Sequence, residues 1–415
     1  SLAIIMTAVN RVFFGWWVAW TVFLMALFAW GFGFYGSAIY LGWLTEKHGW
    51  DLAEVSLAVT VFYAVSAGVV VFSADVFKCL GHRRACLIGM VAIAIGPLAM
   101  PLLTEPWQMW LAFLVMAPGW AFLGTAGVNI VLAPWFQKRR GFVVSLSLNG
   151  ASMGSVVIAP VIVLLAGFYG PVTAIVLTTG LMLATLGVFA WLVLHHSPAA
   201  MGLAPDGGAA DPAAKEEPAE ARSKRALLKS WQVWSIALPF AVALFVQVGV
   251  LTHQFRFLII DMSEGTVALI MSLTGIMAVT GRVGTGMIID RIDRRRAGAV
   301  NFAVQAAGLA VVIVTDGPWG QGAGWMLFGL GVGNQVTLYG LIAHVEFTRA
   351  DFARAMAVIV AICQFTYAFG PGLIGAAADV LGYGAAFGGS VLLLLVASVL
   401  VVAGRPKTGS QGPQS

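Results

Sequence analysis

Apolar runs of about 20 residues, each long enough to cross the hydrocarbon core of a bilayer as a helix, recur along nearly the whole chain. With 60% hydrophobic and only 10% charged residues, the sequence carries more apolar surface than a water-soluble core absorbs. A transmembrane β-barrel would alternate apolar and polar residues in segments of roughly ten. Here the runs are long, rich in Leu, Val, Ala and Phe, and interrupted by Gly, so the spans are helices. Twelve are read, over 13–36, 52–75, 84–103, 107–133, 141–167, 171–195, 232–256, 266–289, 297–315, 320–344, 355–378 and 383–403. No cleavable signal peptide is expected, because the first run is itself long enough to span.

Charge orients this ladder. With both termini in the cytoplasm, Arg11, the clusters at 78–84, 138–140, 215–229, 291–296 and 349–354, and Arg405 with Lys407 all fall inside. Only Lys47, Arg256 and Arg282 fall elsewhere. Topology thus accounts for the net charge of +5, and anionic lipid headgroups, not nucleic acid, are the expected partners of the basic loops. Rich Ala and Gly content with short loops fits a bacterial cell (inner) membrane. Cys79, Cys86 and Cys363 show no paired spacing, so free thiols are expected, with no metal site and no cofactor.

The segment 197–230, rich in Pro, Ala, Gly and charge, cannot bury a core and is read as a cytoplasmic linker with a short amphipathic helix near its basic end. It divides the chain into a six-helix half at 1–196 and another at 231–404, followed by a tail at 405–415. The halves echo each other. Asp75 and Asp290 each end a second span before a basic loop, and Pro160 and Pro371 each sit inside a fifth. The fold class is therefore all-α membrane protein, twelve transmembrane helices in two pseudo-symmetric halves. Such internal repeats are typical of transporters that bind at the midplane.

Gly286, Asp290, Arg291, Arg294 and Arg295 follow the pattern G-x-x-x-D-R-x-G-R-R, with Asp293 in place of the later Gly. A weaker copy holds Asp75, Gly81, Arg83 and Arg84. These residues resemble the loop signature of the major facilitator superfamily, and the resemblance covers essentially the whole chain. Within it, WFQKRRGFVVSLSLNGASMGSVVIAP, from Trp135 to Pro160, resembles the corresponding block of monocarboxylate transporters and oxalate:formate antiporters. The opening FFGWWVAW and the stretch GWDLAEVSLAVTVF point the same way. In that group an Arg on the eighth span binds substrate, and the resemblance implies this role for Arg282. Small residues at Gly150 and Gly154 predict a close helix approach. Asp75, Asp290 and Arg291 are expected to gate the cytoplasmic mouth by pairing with loop arginines or capping a helix start.

Arg282 stands in an otherwise apolar or small stretch, eight residues before Asp290 and so roughly 12 Å above the boundary. A guanidinium at that depth is costly and usually faces a polar cavity, and its fork matches a carboxylate. The alternative is a structural Arg bonding helix carbonyls. His253, in the outer part of the seventh span, is a candidate substrate contact and proton carrier, or else an interfacial hydrogen-bonder. Asn129, Asn149, Asn334, Gln364 and Tyr367 are polar residues within spans that serve either substrate or interhelical hydrogen bonds. Tyr35, with Phe28, Trp30 and Phe34 nearby, offers an aromatic cavity wall or ordinary packing.

Two departures limit the resemblance. Ala278 stands where the animal proton-coupled members have an acidic residue four before the Arg, and Ala38 where they have a first-span Lys. Nor does the eleventh span hold the Lys of the oxalate type. One buried positive charge favours a monoanion. The reading is a secondary transporter of a small organic monocarboxylate, with proton coupling through His253 as an option, acting as a monomer. The rivals are an anion exchanger, an exporter of neutral or lipophilic compounds with Arg282 structural, and a transporter-derived sensor. No clustered acid and base, nucleophile or P-loop suggests an enzyme or ATP-driven pump.

Overall fold

In lipid every backbone polar group must find its partner within the chain, and the apolar runs meet that demand as helices. The computed structural model describes residues 13–50, 52–207 and 222–405, which form helices and no strands. Among the described residues eleven stretches are long and apolar enough to cross a membrane. One of them, Leu57–Leu102, is twice the needed length and turns at Gly81 (φ 78°), so it carries both the second and third crossings. The others are Gly15–Tyr35 (first, continued by Gly36–His48), Pro106–Leu132 (fourth), Arg140–Tyr169 (fifth), Pro171–Val193 (sixth), Trp231–Leu258 (seventh), Gly265–Arg291 (eighth), Arg294–Val314 (ninth), Gly317–Glu346 (tenth), Arg349–Leu381 (eleventh) and Tyr383–Ala403 (twelfth).

Several helices outrun their apolar stretches. The eleventh begins at Arg349, six residues before the hydropathy boundary, because the Thr348 hydroxyl caps it by accepting from the Asp351 N–H at 3.3 Å. The expected helix near the basic end of the linker is Lys224–Leu228, capped by Ser223. Arg11, Lys215 and Lys407 lie outside the described residues.

The chain clusters into two units. Unit 1 comprises Ser1–Glu220 together with Ala278–Arg291, so the inner part of the eighth span belongs to it; unit 2 comprises Ala221–Met277 and Ile292–Ser415.

In unit 1 the fifth span lies directly on the first. A Cβ at Gly150 would strike the Phe23 carbonyl, and one at Gly154 the Gly31 amide and Leu27 carbonyl; the Ser147 hydroxyl donates to Ala19 O at 3.2 Å. Gly150→Leu is therefore expected to destabilise the protein by about 1–3 kcal/mol or more, since backbone rather than a side chain would have to move; thermal unfolding of the purified protein measures it. Both spans carry a π turn where they meet, Ala29–Tyr35 and Gly154–Ile158. The opening aromatics pack on the Trp135–Phe136 pair, Phe14 to Trp135 at 5.4 Å and Phe13 to Phe136 at 5.5 Å between ring centres. Beyond them the first part of the linker holds Asp206 (φ 62°), whose carboxylate accepts from the amides of Gln137, Lys138 and Arg139.

In unit 2 the seventh and eleventh spans meet through Gly249 and Gly370, where a Cβ on either would meet the other's backbone. The other end of the linker docks here, with Arg222 donating to Asp351 from both its amide and its Nε at 2.7 Å. Arg295, 2% exposed, engages Glu346 through Nε and Nη2 at 2.5 and 2.7 Å, Ser235 O and Val401 O through Nη1, and the Ser235 hydroxyl through Nη2.

Candidate functional site

Arg282 is 4% exposed in the eighth span. Its Nη1 donates to the Leu148 carbonyl at 2.7 Å and the Ser152 hydroxyl at 2.9 Å, with the Asn149 amide oxygen at 3.5 Å. These acceptors are neutral, and all come from the stretch of the fifth span just before its π turn. Tyr35 lies within electrostatic range of the guanidinium. Unit 1 therefore gathers Arg282, Asn149 and Tyr35 from the expected set and adds Ser152, which a hydroxyl-only signal in a Ser-rich stretch could not single out. π turns recur at functional sites because the extra residue displaces carbonyls and side chains from the helical pattern.

An aromatic cluster extends along the first, second and fourth spans. Phe34 meets Tyr35 edge-on at 5.1 Å, Tyr63 lies 5.6 Å from Trp120, and Trp120 lies 4.8 Å from Trp30. Tyr63 donates to Gly33 O at 3.3 Å. Phe28 is buried against Phe32, whereas Trp30, Phe34 and Tyr35 are half-buried.

Asn129 is fully buried in the fourth span. Its side-chain nitrogen donates to Thr125 O at 3.0 Å, and its own carbonyl accepts from Arg140 Nη2 at 3.3 Å. Arg140, read from sequence as a loop cation, is 0% exposed and folds back toward the fourth span.

The remaining candidates lie in unit 2. The half-buried His253 donates from Nε2 to Pro371 O at 2.9 Å, since a carbonyl only accepts, and this bond ties the seventh span to the break in the eleventh after Tyr367. Arg256 pairs with Asp379 at 3.5 Å on the surface. Asn334 stands at the break in the tenth span, where its amide nitrogen donates to Asn301 and to Leu330 O, both at 3.1 Å. Its neighbour Gln335 donates to Gln305 at 3.0 Å. This buried amide pairing joins the ninth and tenth spans. Gln364 is 3% exposed, three residues before the half-buried Tyr367.

At the basic end of unit 1 the Asp290 carboxylate accepts from the amides of Gly141 and Phe142 at 3.1 and 3.3 Å, capping the start of the fifth span. Asp206 takes up the three amides just before. Asp290→Ala is expected to cost about 1 kcal/mol by exposing that helix start; the drop in melting temperature should be smaller for Asp290→Asn, which keeps an acceptor. Arg291 is exposed on the short turn Ile289–Arg291, and Asp75 is half-buried six residues before the turn at Gly81. Asp293, where the superfamily pattern has Gly, caps the ninth span by accepting from the Arg296 amide at 2.8 Å, and that bond together with Arg405 holds its carboxyl below the usual carboxylate range.

The multidrug resistance protein MdtH of Photorhabdus laumondii is 29% identical over 112 residues, which are 27% of this chain and 28% of that relative's length. The chain thus aligns with little more than a quarter of that relative. In fold it is similar to the E. coli fucose:proton symporter FucP (TM-score 0.70, 14% identity, covering 93% of this chain and 98% of that one). It is similar also to the proton:xylose symporter XylE (TM-score 0.70, 11% identity, covering 94% and 95%). A profile described as Major Facilitator Superfamily matches residues 21–345. Members of that family are transporters rather than enzymes, and with a match over most of its length and the twelve-span helical fold, this chain belongs to the Major Facilitator Superfamily.

Proposed function

We propose that this transporter carries a small organic monocarboxylate by alternating access, with Arg282 as the carboxylate site and Asn149, Ser152 and Tyr35 as its neighbours. The observation that carries the reading is a guanidinium buried mid-span and oriented by the neutral acceptors Leu148 O and Ser152 Oγ. A charge held in a fixed direction is prepared for an anion without reorganisation on binding. Gln364 and Tyr367, beside the break in the eleventh span, are the candidates from unit 2; Asn129 and Asn334 serve helix contacts in this reading.

Coupling to protons is part of the proposal, in line with the names of FucP and XylE. His253 is the candidate carrier, and its bond to Pro371 would let protonation act on the broken eleventh span. Asp75, Asp290 and Arg291 would gate at the basic end. That end faces the cytoplasm of a cell membrane by the positive-inside rule, with both termini on the same side.

Thermal stabilisation of the purified protein by a panel of mono- and dicarboxylates tests the site, because a ligand of the folded state raises the melting temperature. A shift with monocarboxylates that vanishes in Arg282→Ala is the expected result. The name of the MdtH relative supports a second reading, export of neutral lipophilic compounds with Arg282 structural. Stabilisation by neutral lipophiles and by no carboxylate would select it.

A further inference from the structure

We propose that unit 1 binds one anionic phospholipid at the basic end of the sixth span, its phosphate on Arg83 and an acyl chain in the groove beside Trp191. The sixth span is interrupted by a π turn at Leu183–Gly187. A π turn bulges the backbone, and Gly187 contributes no side chain to fill the space it opens. The result is a groove of about 350 Å³ lined mainly by the apolar surface of Leu183, Gly187, Val188, Trp191 and Leu192.

One end of the groove is cationic. The Arg83 guanidinium stacks over the Trp191 ring, 4.4 Å from its centre. A ring accepts none of the guanidinium's N–H groups in a conventional hydrogen bond, so they stay available to a phosphate, the acceptor that an arginine fork fits best. Among the described residues no carboxylate or carbonyl accepts from Arg83. Arg84 and His195, both exposed, adjoin this position in sequence, and segments 76–104 and 171–205 contain no acidic residue. A positive edge over an apolar trough matches a phosphate joined to a hydrocarbon chain, at the depth where headgroups meet the acyl region.

Native mass spectrometry of the full chain in detergent, titrated with phosphatidylglycerol and phosphatidylcholine of the same acyl chains, reads the site. One phosphatidylglycerol should be retained in preference to phosphatidylcholine. Arg83→Gln should lower that preference roughly tenfold or more, the worth of a charge-assisted hydrogen bond. Gly187→Leu should abolish retention by filling the trough, whereas Gly187→Ala should keep it, because a Cβ there meets only the Met90 side chain at 3.4 Å. Glycerol phosphate, with the headgroup chemistry but no acyl chain, should not compete. An unchanged preference in Arg83→Gln, retention by Gly187→Leu, or full competition by glycerol phosphate would each overturn the proposal. Should Arg83→Gln fail to fold, the glycine pair and the competition still decide.

Discussion

Arg282→Ala is expected to yield a folded protein that no longer transports its carboxylate. Truncating one partner of a buried, hydrogen-bonded charge pair costs about 2–5 kcal/mol, so transport at low substrate should fall by roughly thirtyfold to several thousandfold. Stability should also fall. The groups released include the Leu148 carbonyl, the Ser152 hydroxyl and the Asn149 amide oxygen, whose bonds to the charged guanidinium are worth about 1.5–3 kcal/mol each at good geometry. Removing a buried charge offsets part of that loss. Arg282→Lys should recover only part of the activity, because an ammonium cannot hold Leu148 and Ser152 while presenting a planar fork. Uptake into proteoliposomes, normalised to correctly inserted protein, makes the comparison. Normal uptake by Arg282→Ala would sink the carboxylate site.

The largest effect on stability is expected at Arg295→Ala. All five N–H donors of this arginine are engaged, and their acceptors come from the seventh, tenth and twelfth spans. Losing it leaves the Glu346 carboxylate, only 17% exposed, without the guanidinium that engages both its oxygens. Breaking a buried pair in this way costs about 3–5 kcal/mol. Little folded protein should survive extraction. Arg295→Ala combined with Glu346→Gln should recover part of the loss, since the orphaned charge is then gone; melting temperatures of the two singles and the double give the coupling directly. Equal stability of Arg295→Ala and the wild type would show that these bonds contribute nothing.

The sequence disclosed Arg282 and concealed Arg295 for the same physical reason. Hydropathy marks a cation as unusual only when apolar residues flank it on both sides, as they do Arg282. Arg140 and Arg295 stand where a span begins, among other basic residues, and composition cannot tell a side chain reaching for headgroups from one folded back onto carbonyls. The crossings were legible because lipid demands helices. Boundaries were less so: Thr348 starts the eleventh helix through a cap that hydropathy does not register. Asn334 stood out as polar, but its pairing with Asn301 depends on how the ninth and tenth spans lie, a relation that no local pattern contains.

The π turns at Ala29–Tyr35 and Gly154–Ile158 also set how this family member can tolerate insertions and deletions. Each accommodates a surplus residue without interrupting its span. Deleting one residue there would close the bulge to ordinary α winding while the segments on either side keep much the same facing, since the surplus residue is what widens the turn. In the fifth span the residues that hold Arg282 precede the turn and would keep their direction, while the bulged backbone that ends at Ile158, against which Gly31 rests, would draw in. Because the two turns touch, a compensating deletion in the first span would have to accompany it. Length variation at these two places should therefore be inherited in pairs.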